Sequence, residues 1–225
     1  MKIAINPVFS EAYQLVSDKL GKENVYLVGG FVRDTLLKRA THDMDFATPL
    51  EPSSVFKAFP YGTYFEKYGT VSFKISGIAI TIASFRKEKH YLDHRHPSSV
   101  TFVKSLYEDY KRRDFTVNAL YVNASLDVID PTRRGLRDLT KSRLCLIGNN
   151  RVRLREDPLR IVRAYRFSSE LGFTFSRRLS HALQKEKGLV KNLNPQKIRE
   201  EVNKAPLSAR KNLVKELGLE WAFEL

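Results

Sequence analysis

Phe9, Tyr13, Leu15, Val16 and Leu20 recur at helical spacing and predict a helix over 9–20. The short apolar run 25–28 stops at Gly29-Gly30, as a buried strand would, and helical spacing resumes over 32–37. A strand is expected over 43–47, a helix over 51–59, and a hairpin of 70–75 with 78–85 that turns at Ser76-Gly77. A helix is expected over 106–121, with short strands over 126–129 and 143–147. From about Arg153 only helical spacing remains, interrupted at Gly172, Gly188, Pro195 and Pro206. Strands mixed with helices, then helices alone, define an α+β organisation. A mixed-sheet domain is expected over residues 1–150 and an all-helical one over 151–225.

Composition narrows the partners. The 225 residues suffice for one large domain or two small ones, and an apolar fraction of 42% can supply a packed core. Lys and Arg total 39 against 25 Asp and Glu, a net charge of +14. Such a surplus favours a polyanionic partner over plain solubility. No amphipathic basic helix and no long apolar run points to a membrane. Cys145 is the only cysteine, which excludes an intrachain disulfide and a thiolate zinc cluster. The opening segment MKIAINPVFSEAYQLV has no apolar secretion core, so a cytoplasmic location is expected.

Two short motifs carry chemistry. In Leu27-Val28-Gly29-Gly30-Phe31-Val32-Arg33 a strand runs into two glycines and then a helix. Glycines admit a phosphate close to the backbone, the helix start offers N–H groups, and Arg33 can add a charge-assisted bond. Asp43 and Asp45 follow in THDMDFAT. On a strand, residues i and i+2 share a face, roughly 7 Å apart at Cα. Two carboxylates so placed can converge on two Mg²⁺ ions, one activating a 3′ hydroxyl and one holding a triphosphate. Alone, each motif is more often an ordinary turn or a pair of solvated aspartates; together they set a phosphate cradle beside metal ligands.

VYLVGGFVRDTLLKRATHDMDFAT resembles the signature of the class II tRNA nucleotidyltransferases, the bacterial and eukaryotic CCA-adding enzymes, and of the related bacterial poly(A) polymerases. The resemblance continues through YKRRDFTVNALYV, DPTRRGLRDL, REDPLRIVRAYRFSSELGFTF and PQKIREEVNK, in the family's order. It implies a polymerase β-like nucleotidyltransferase head followed by helices, acting on the 3′ end of tRNA with CTP and ATP as substrates and Mg²⁺ as cofactor. By resemblance Gly30 and Arg33 bind triphosphate, Asp43 and Asp45 hold the metals, and Arg113 binds nucleotide. Asp114 and Asn118 lie one helical turn apart in the expected helix, suited to orienting a ribose.

In Glu156-Asp157-Pro158-Leu159-Arg160, proline suits a first helical turn with Asp157 near the cap. A carboxylate accepts hydrogen bonds and a guanidinium only donates. Cytosine and adenine each present an amino donor beside a ring-nitrogen acceptor; uracil and guanine present the reverse. One Asp with one Arg therefore admits C and A and rejects U and G, since rejection leaves buried polar groups unpaired. The resemblance implies this selection for Asp157 and Arg160, and further nucleotide contacts for Arg163 and Arg166. The simpler reading is an N-cap aspartate with an i,i+3 ion pair.

Three departures stand out. Thr81 aligns with a position where the family carries a third carboxylate, and Arg134 replaces a frequent glycine. Family members also run well beyond 225 residues, so RNA grip is expected from the basic residues present, such as Arg151, Arg155, Arg177, Arg178, Lys185 and Lys191. His90, His94 and His96 have loop-like spacing and suggest a variable segment more than a metal site. The alternatives are a poly(A) polymerase, a CC-adding or A-adding specialist, and an RNA-binding remnant without catalysis.

Overall fold

The computed structural model describes residues 1–89 and 97–223, so His90, His94 and His96 lie outside the described residues. The chain divides into two compact units. The first comprises Met1–Glu88, Ser99–Arg113 and Val117–Leu136; the second takes Asp114–Thr116 and the chain from Arg137 on. Among the described residues no helix is long and apolar enough to cross a membrane.

Strands β1 (Tyr26–Val28), β2 (Asp43–Thr48), β3 (Thr63–Phe65), β4 (Thr70–Ile75), β5 (Ile78–Ser84), β6 (Arg86–Lys89), β7 (Ser99–Phe102), β8 (Tyr121–Val122) and β9 (Val128–Ile129) follow one another along the chain. Seven of them form a mixed sheet in the order β3-β4-β5-β2-β1-β8-β9, and β6 pairs with β7. The β4–β5 hairpin turns where expected: Ile75 pairs with Ile78, and Ser76 and Gly77 both take positive φ (48° and 84°). In β5, Ile-Ala-Ile-Thr-Ile-Ala-Ser, the isoleucines are buried on one face while Ala79, Thr81 and Ala83 are half-buried on the other. Met44, Phe46, Val71, Ile80 and Ile82 are buried on the isoleucine side. There α3 (Pro52–Ala58) packs on β4 and β5, with α1 (Ser10–Leu20) beside it. Each such side chain stabilises the fold by about 1.5–3 kcal/mol. On the opposite face Val28, Ala47, Phe85 and Tyr121 cluster with Leu106 of α4 (Leu106–Asp109). Asp43, Asp45 and Thr81 belong to that same face.

The second unit contains α6 (Asn150–Glu156), α7 (Leu159–Leu171), α8 (Arg177–Glu186), α9 (Pro195–Val202) and α10 (Leu207–Leu217), after α2 (Gly30–Leu36) and α5 (Gly135–Thr140) earlier in the chain. Leu159, Ile161, Val162, Ala164 and Phe167 bury one side of α7, against which α9 and α10 pack. The breaks fall at the expected punctuation: Gly172 caps α7 and Pro195 opens α9 behind the Asn194 side-chain cap.

Two expectations are corrected. The segment 106–121 is not one helix. It ends as α4 at Asp109, tightens into a 3₁₀ turn at Tyr110–Arg112, and extends at Arg113 (ψ 161°). Phe115 then bridges to Leu146, a second 3₁₀ turn covers Thr116–Asn118, and Tyr121–Val122 is a strand. The cause is tertiary: Phe115 packs on Phe167, and Asp114 accepts from the Phe115 N–H, an alternative to a helical bond. Second, the units divide near 136/137 and not at 150, because the apolar run around 143–147 pairs as β10 (Arg143–Leu144) with β11 (Thr174–Phe175), a two-residue strand in the otherwise helical second unit, and with Phe115, instead of joining the large sheet.

Candidate active site

In the first unit β2 lies between β1, antiparallel to it, and β5, parallel to it. Asp45 stands opposite Val28 of β1 and Thr81 of β5. Asp43, two residues earlier, projects to the same face. Burial, and then the Asp43 charge, push the Asp45 carboxyl up to about 6, against the pull of Arg113 and Arg33. Gly29 directly follows β1 with φ 75° and ψ −140°. A Cβ there would stand 3.0 Å from Asp45 Oδ2, so only glycine lets the turn lie against this carboxylate. At Gly30 a Cβ would meet nothing closer than Arg33 Nη2 at 3.6 Å, an ordinary contact. Asp45 therefore lies against the glycine turn.

This donor set fits a divalent cation. Two carboxylates share one strand face, and burial with the Asp43 charge raises Asp45, a repulsion that a cation between them would relieve. Among the described residues no group of three or more His, Cys, Asp or Glu is placed to hold a metal. Mg²⁺ is commonly bound by one or two carboxylates and completed by substrate phosphates and water. Thr81 occupies the place beside Asp45 where a third acid was expected, its Oγ1 3.4 Å from Ser72 Oγ.

Arg33 is buried and already engaged. It forms a fork with Asp34 (Nε–Oδ1 2.9 Å, Nη2–Oδ2 2.7 Å), and its Nη1 donates to Asn118 Oδ1 at 2.7 Å. Asn118 thus orients Arg33. The backbone between Asp114 and Asn118 is not a continuous α-helix, since Arg113 is extended and Asn118 ends a 3₁₀ turn. Arg113 donates from Nε to Tyr121 Oη (2.8 Å) and Asp109 Oδ2 (3.2 Å). Asp109 and Tyr121 escaped the sequence reading. The available signal was an acid three and four residues before Arg112 and Arg113, which reads equally as a charged helix face.

The second unit gathers the other candidates. Arg163 binds Asp114 Oδ2 through Nε (2.8 Å) and Nη2 (2.5 Å). Arg166, nearly buried, donates to Glu201 (2.6 Å) and Glu170 (2.5 Å) with its guanidinium 4.0 Å from the Phe167 ring centre. Asp157 accepts the Leu159 N–H at 3.1 Å and pairs with Arg160 at 3.8 Å, so both features of the simpler reading are present. Arg160 also donates to Arg153 O (2.8 Å) and Glu156 (3.4 Å). Of the basic residues, Arg151 and Arg155 both hold Glu186, whereas Arg177, Arg178, Lys185 and Lys191 are exposed.

Paired strand carboxylates beside a glycine turn, on a mixed sheet, define the nucleotidyltransferase class of site. Comparison with known proteins gives the family: residues 25–145 match the poly(A) polymerase head domain, and the chain belongs to that family. The CCA-adding enzyme of Geobacillus kaustophilus is 38% identical over 202 residues, covering 89% of this chain and 50% of that one. The crystal structure of the Bacillus stearothermophilus CCA-adding enzyme in complex with CTP superposes with a TM-score of 0.81 at 36% identity, over 96% of this chain and 53% of that one. A tRNA nucleotidyltransferase complexed with a primer tRNA and an incoming ATP analogue gives a TM-score of 0.71 at 29% identity, over 91% of this chain and 59% of that one. The chain spans about half the length of the curated relatives it matches.

Proposed function

We propose that this protein transfers CMP and AMP from CTP and ATP to the 3′ end of tRNA without a template, releasing pyrophosphate. The observation that carries the reading is the close approach of Asp45 to Gly29, with Asp43 on the same strand face. In the first unit the Gly29-Gly30 turn receives the triphosphate, and Arg113 adds positive charge. Asp43 and Asp45 would hold Mg²⁺, which when bound supplies Lewis-acid activation of the attacking hydroxyl and charge for the leaving pyrophosphate. Asn118 and Asp34 keep Arg33 in one orientation under the turn. In the second unit Asp157 and Arg160 read the Watson–Crick edge. What supports that role is their 3.8 Å pairing and the shielding of Arg160, which fix both before a base arrives. The named relatives, CCA-adding enzymes, support tRNA as the acceptor.

The test is incubation with tRNA lacking its last three nucleotides and each NTP in turn. Addition of C, C and A with a stop is expected. A stop after CC, addition of A alone, or a long A tract would reassign the enzyme within the family. A second reading, an RNA-binding protein without catalysis, is favoured by the neutral Thr81 beside Asp45. RNA binding with no incorporation of any nucleotide would establish it.

A further inference from the structure

We infer that Asp109 and Tyr121 are positioning residues that aim Arg113 at the phosphates of the incoming nucleotide. This rests on the nucleotidyl-transfer reading above and extends it to two residues remote in sequence from the glycine turn and the acid pair.

The sheet register supplies the geometry. Asp45 stands opposite Val28, and Val28 stands opposite Tyr121, so the three form one row across β2, β1 and β8 on a single face. At two strand spacings, Tyr121 is about 10 Å from Asp45, with the strand that leads into Gly29 between them. Arg113 lies over the Tyr121 ring, 5.0 Å from its centre. Its guanidinium is thereby carried to the side of the sheet that bears the carboxylates.

The hydrogen bonds fix this placement. The Tyr121 hydroxyl accepts from Arg113 Nε at 2.8 Å and donates to Asp109 Oδ2 at 2.6 Å. Asp109 is wholly buried and also receives Arg112 Nε (2.8 Å), Arg113 Nη2 (3.1 Å) and the Arg86 N–H (3.1 Å). Burial raises the Asp109 carboxyl, but Arg112 and then Arg113, with the Tyr121 hydroxyl and the Arg86 N–H, hold it far below the usual range.

With Nε held by Tyr121 and Asp109 and Nη2 by Asp109, the plane of the Arg113 guanidinium is set before a nucleotide arrives, so a phosphate at the glycine turn would meet a donor already oriented.

The experiment measures Mg–CTP dissociation constants by equilibrium dialysis, alongside incorporation into trimmed tRNA. Wild type, Tyr121→Phe, Arg113→Ala and the double variant form a cycle. Tyr121→Phe is expected to weaken CTP binding about tenfold and raise KM to match, with kcat changed less. In the Arg113→Ala background it is expected to have no further effect. An equal loss in both backgrounds, or a lowered melting temperature with unchanged CTP affinity, overturns the inference. Should Tyr121→Phe fold poorly, Arg113→Lys carries the test, since it keeps the charge but loses the fork. It is expected to bind CTP about tenfold more weakly, and unchanged affinity overturns the inference. A wild type that binds CTP but transfers nothing defeats the transfer reading while the dialysis cycle still decides the role of Tyr121. A wild type that binds no CTP defeats both.

Discussion

In the first unit Asp43 and Asp45 share a strand face, and among the described residues neither makes an ion pair. In the second, Glu201 is buried and ringed by Arg166 at 2.6 Å, Lys204 at 3.0 Å and Arg163 at 3.7 Å, whereas Asp43 is exposed and Asp45 half-buried. The opposite pKa directions follow. Burial and Asp43 raise Asp45, whereas for Glu201 burial is overcome by Arg163, Arg166 and Lys204, and its carboxyl is lowered. The same residue chemistry thus serves two ends: charge left uncompensated where a cation must be captured, and charge balanced where helices must be locked together.

The widest separation between the two sites should come from deleting the acids. Asp43→Ala or Asp45→Ala should lower nucleotide incorporation by about a thousandfold or more, the several kcal/mol a catalytic metal supplies. Retention of a tenth of the wild-type rate in either variant breaks the metal assignment. Glu201→Ala should instead destabilise the fold by about 1–3 kcal/mol, because it removes one of the two carboxylates that hold the buried Arg166. Urea unfolding would show this, and a loss under 1 kcal/mol would remove the locking role.

Asp45→Asn should act with the opposite sign on stability. Burial and the Asp43 charge push the folded carboxyl up to about 6, above the usual carboxylate range. The native state therefore binds more protons than the unfolded chain within that window, and ion-free stability falls as pH rises through it. At pH 7 without divalent ions, Asp45→Asn should stabilise the protein by about 1–3 kcal/mol and flatten this pH dependence. Thermal unfolding in chelator checks both, and an unchanged melting curve contradicts them. The smallest effect is expected at the turn. Gly30→Ala should raise the KM for NTP about tenfold while leaving the melting temperature unchanged, since its Cβ would meet only ordinary contacts until a phosphate arrives. A drop in melting temperature without a change in KM would mean that Gly30 serves the fold alone.

Where local pattern and tertiary environment agreed, the sequence was readable. The β4–β5 hairpin carries strict alternation and a two-residue turn, and Asp43 and Asp45 needed only the two-residue repeat of a strand to share a face. Thr81 lies beside Asp45 because parallel pairing brings β5 into register. What the sequence hid depends on distant partners. Glu108-Asp109-Tyr110-Lys111-Arg112-Arg113 has the composition of a solvated helix, yet Asp109 is wholly buried because Tyr121 and the Arg86 backbone come to it from other strands. The helix expected through 121 fails for the same reason, at the residues that Phe167, Asp138 and Cys145 claim. Two-residue strands such as β10 and β11 leave too short an alternation to detect.

The path of the backbone through Asp114–Thr116 limits how the molecule can be cut. Those three residues sit amid first-unit sequence, yet Phe115 is fully buried against Phe167, Thr116 bonds Asp138, and Asp114 is clasped by Arg163. A truncation after Leu136 would take Phe167 from the Phe115 ring, Asp138 from Thr116 and Arg163 from Asp114, in the middle of the remaining polypeptide. No single scission of the chain therefore separates the two units with both intact.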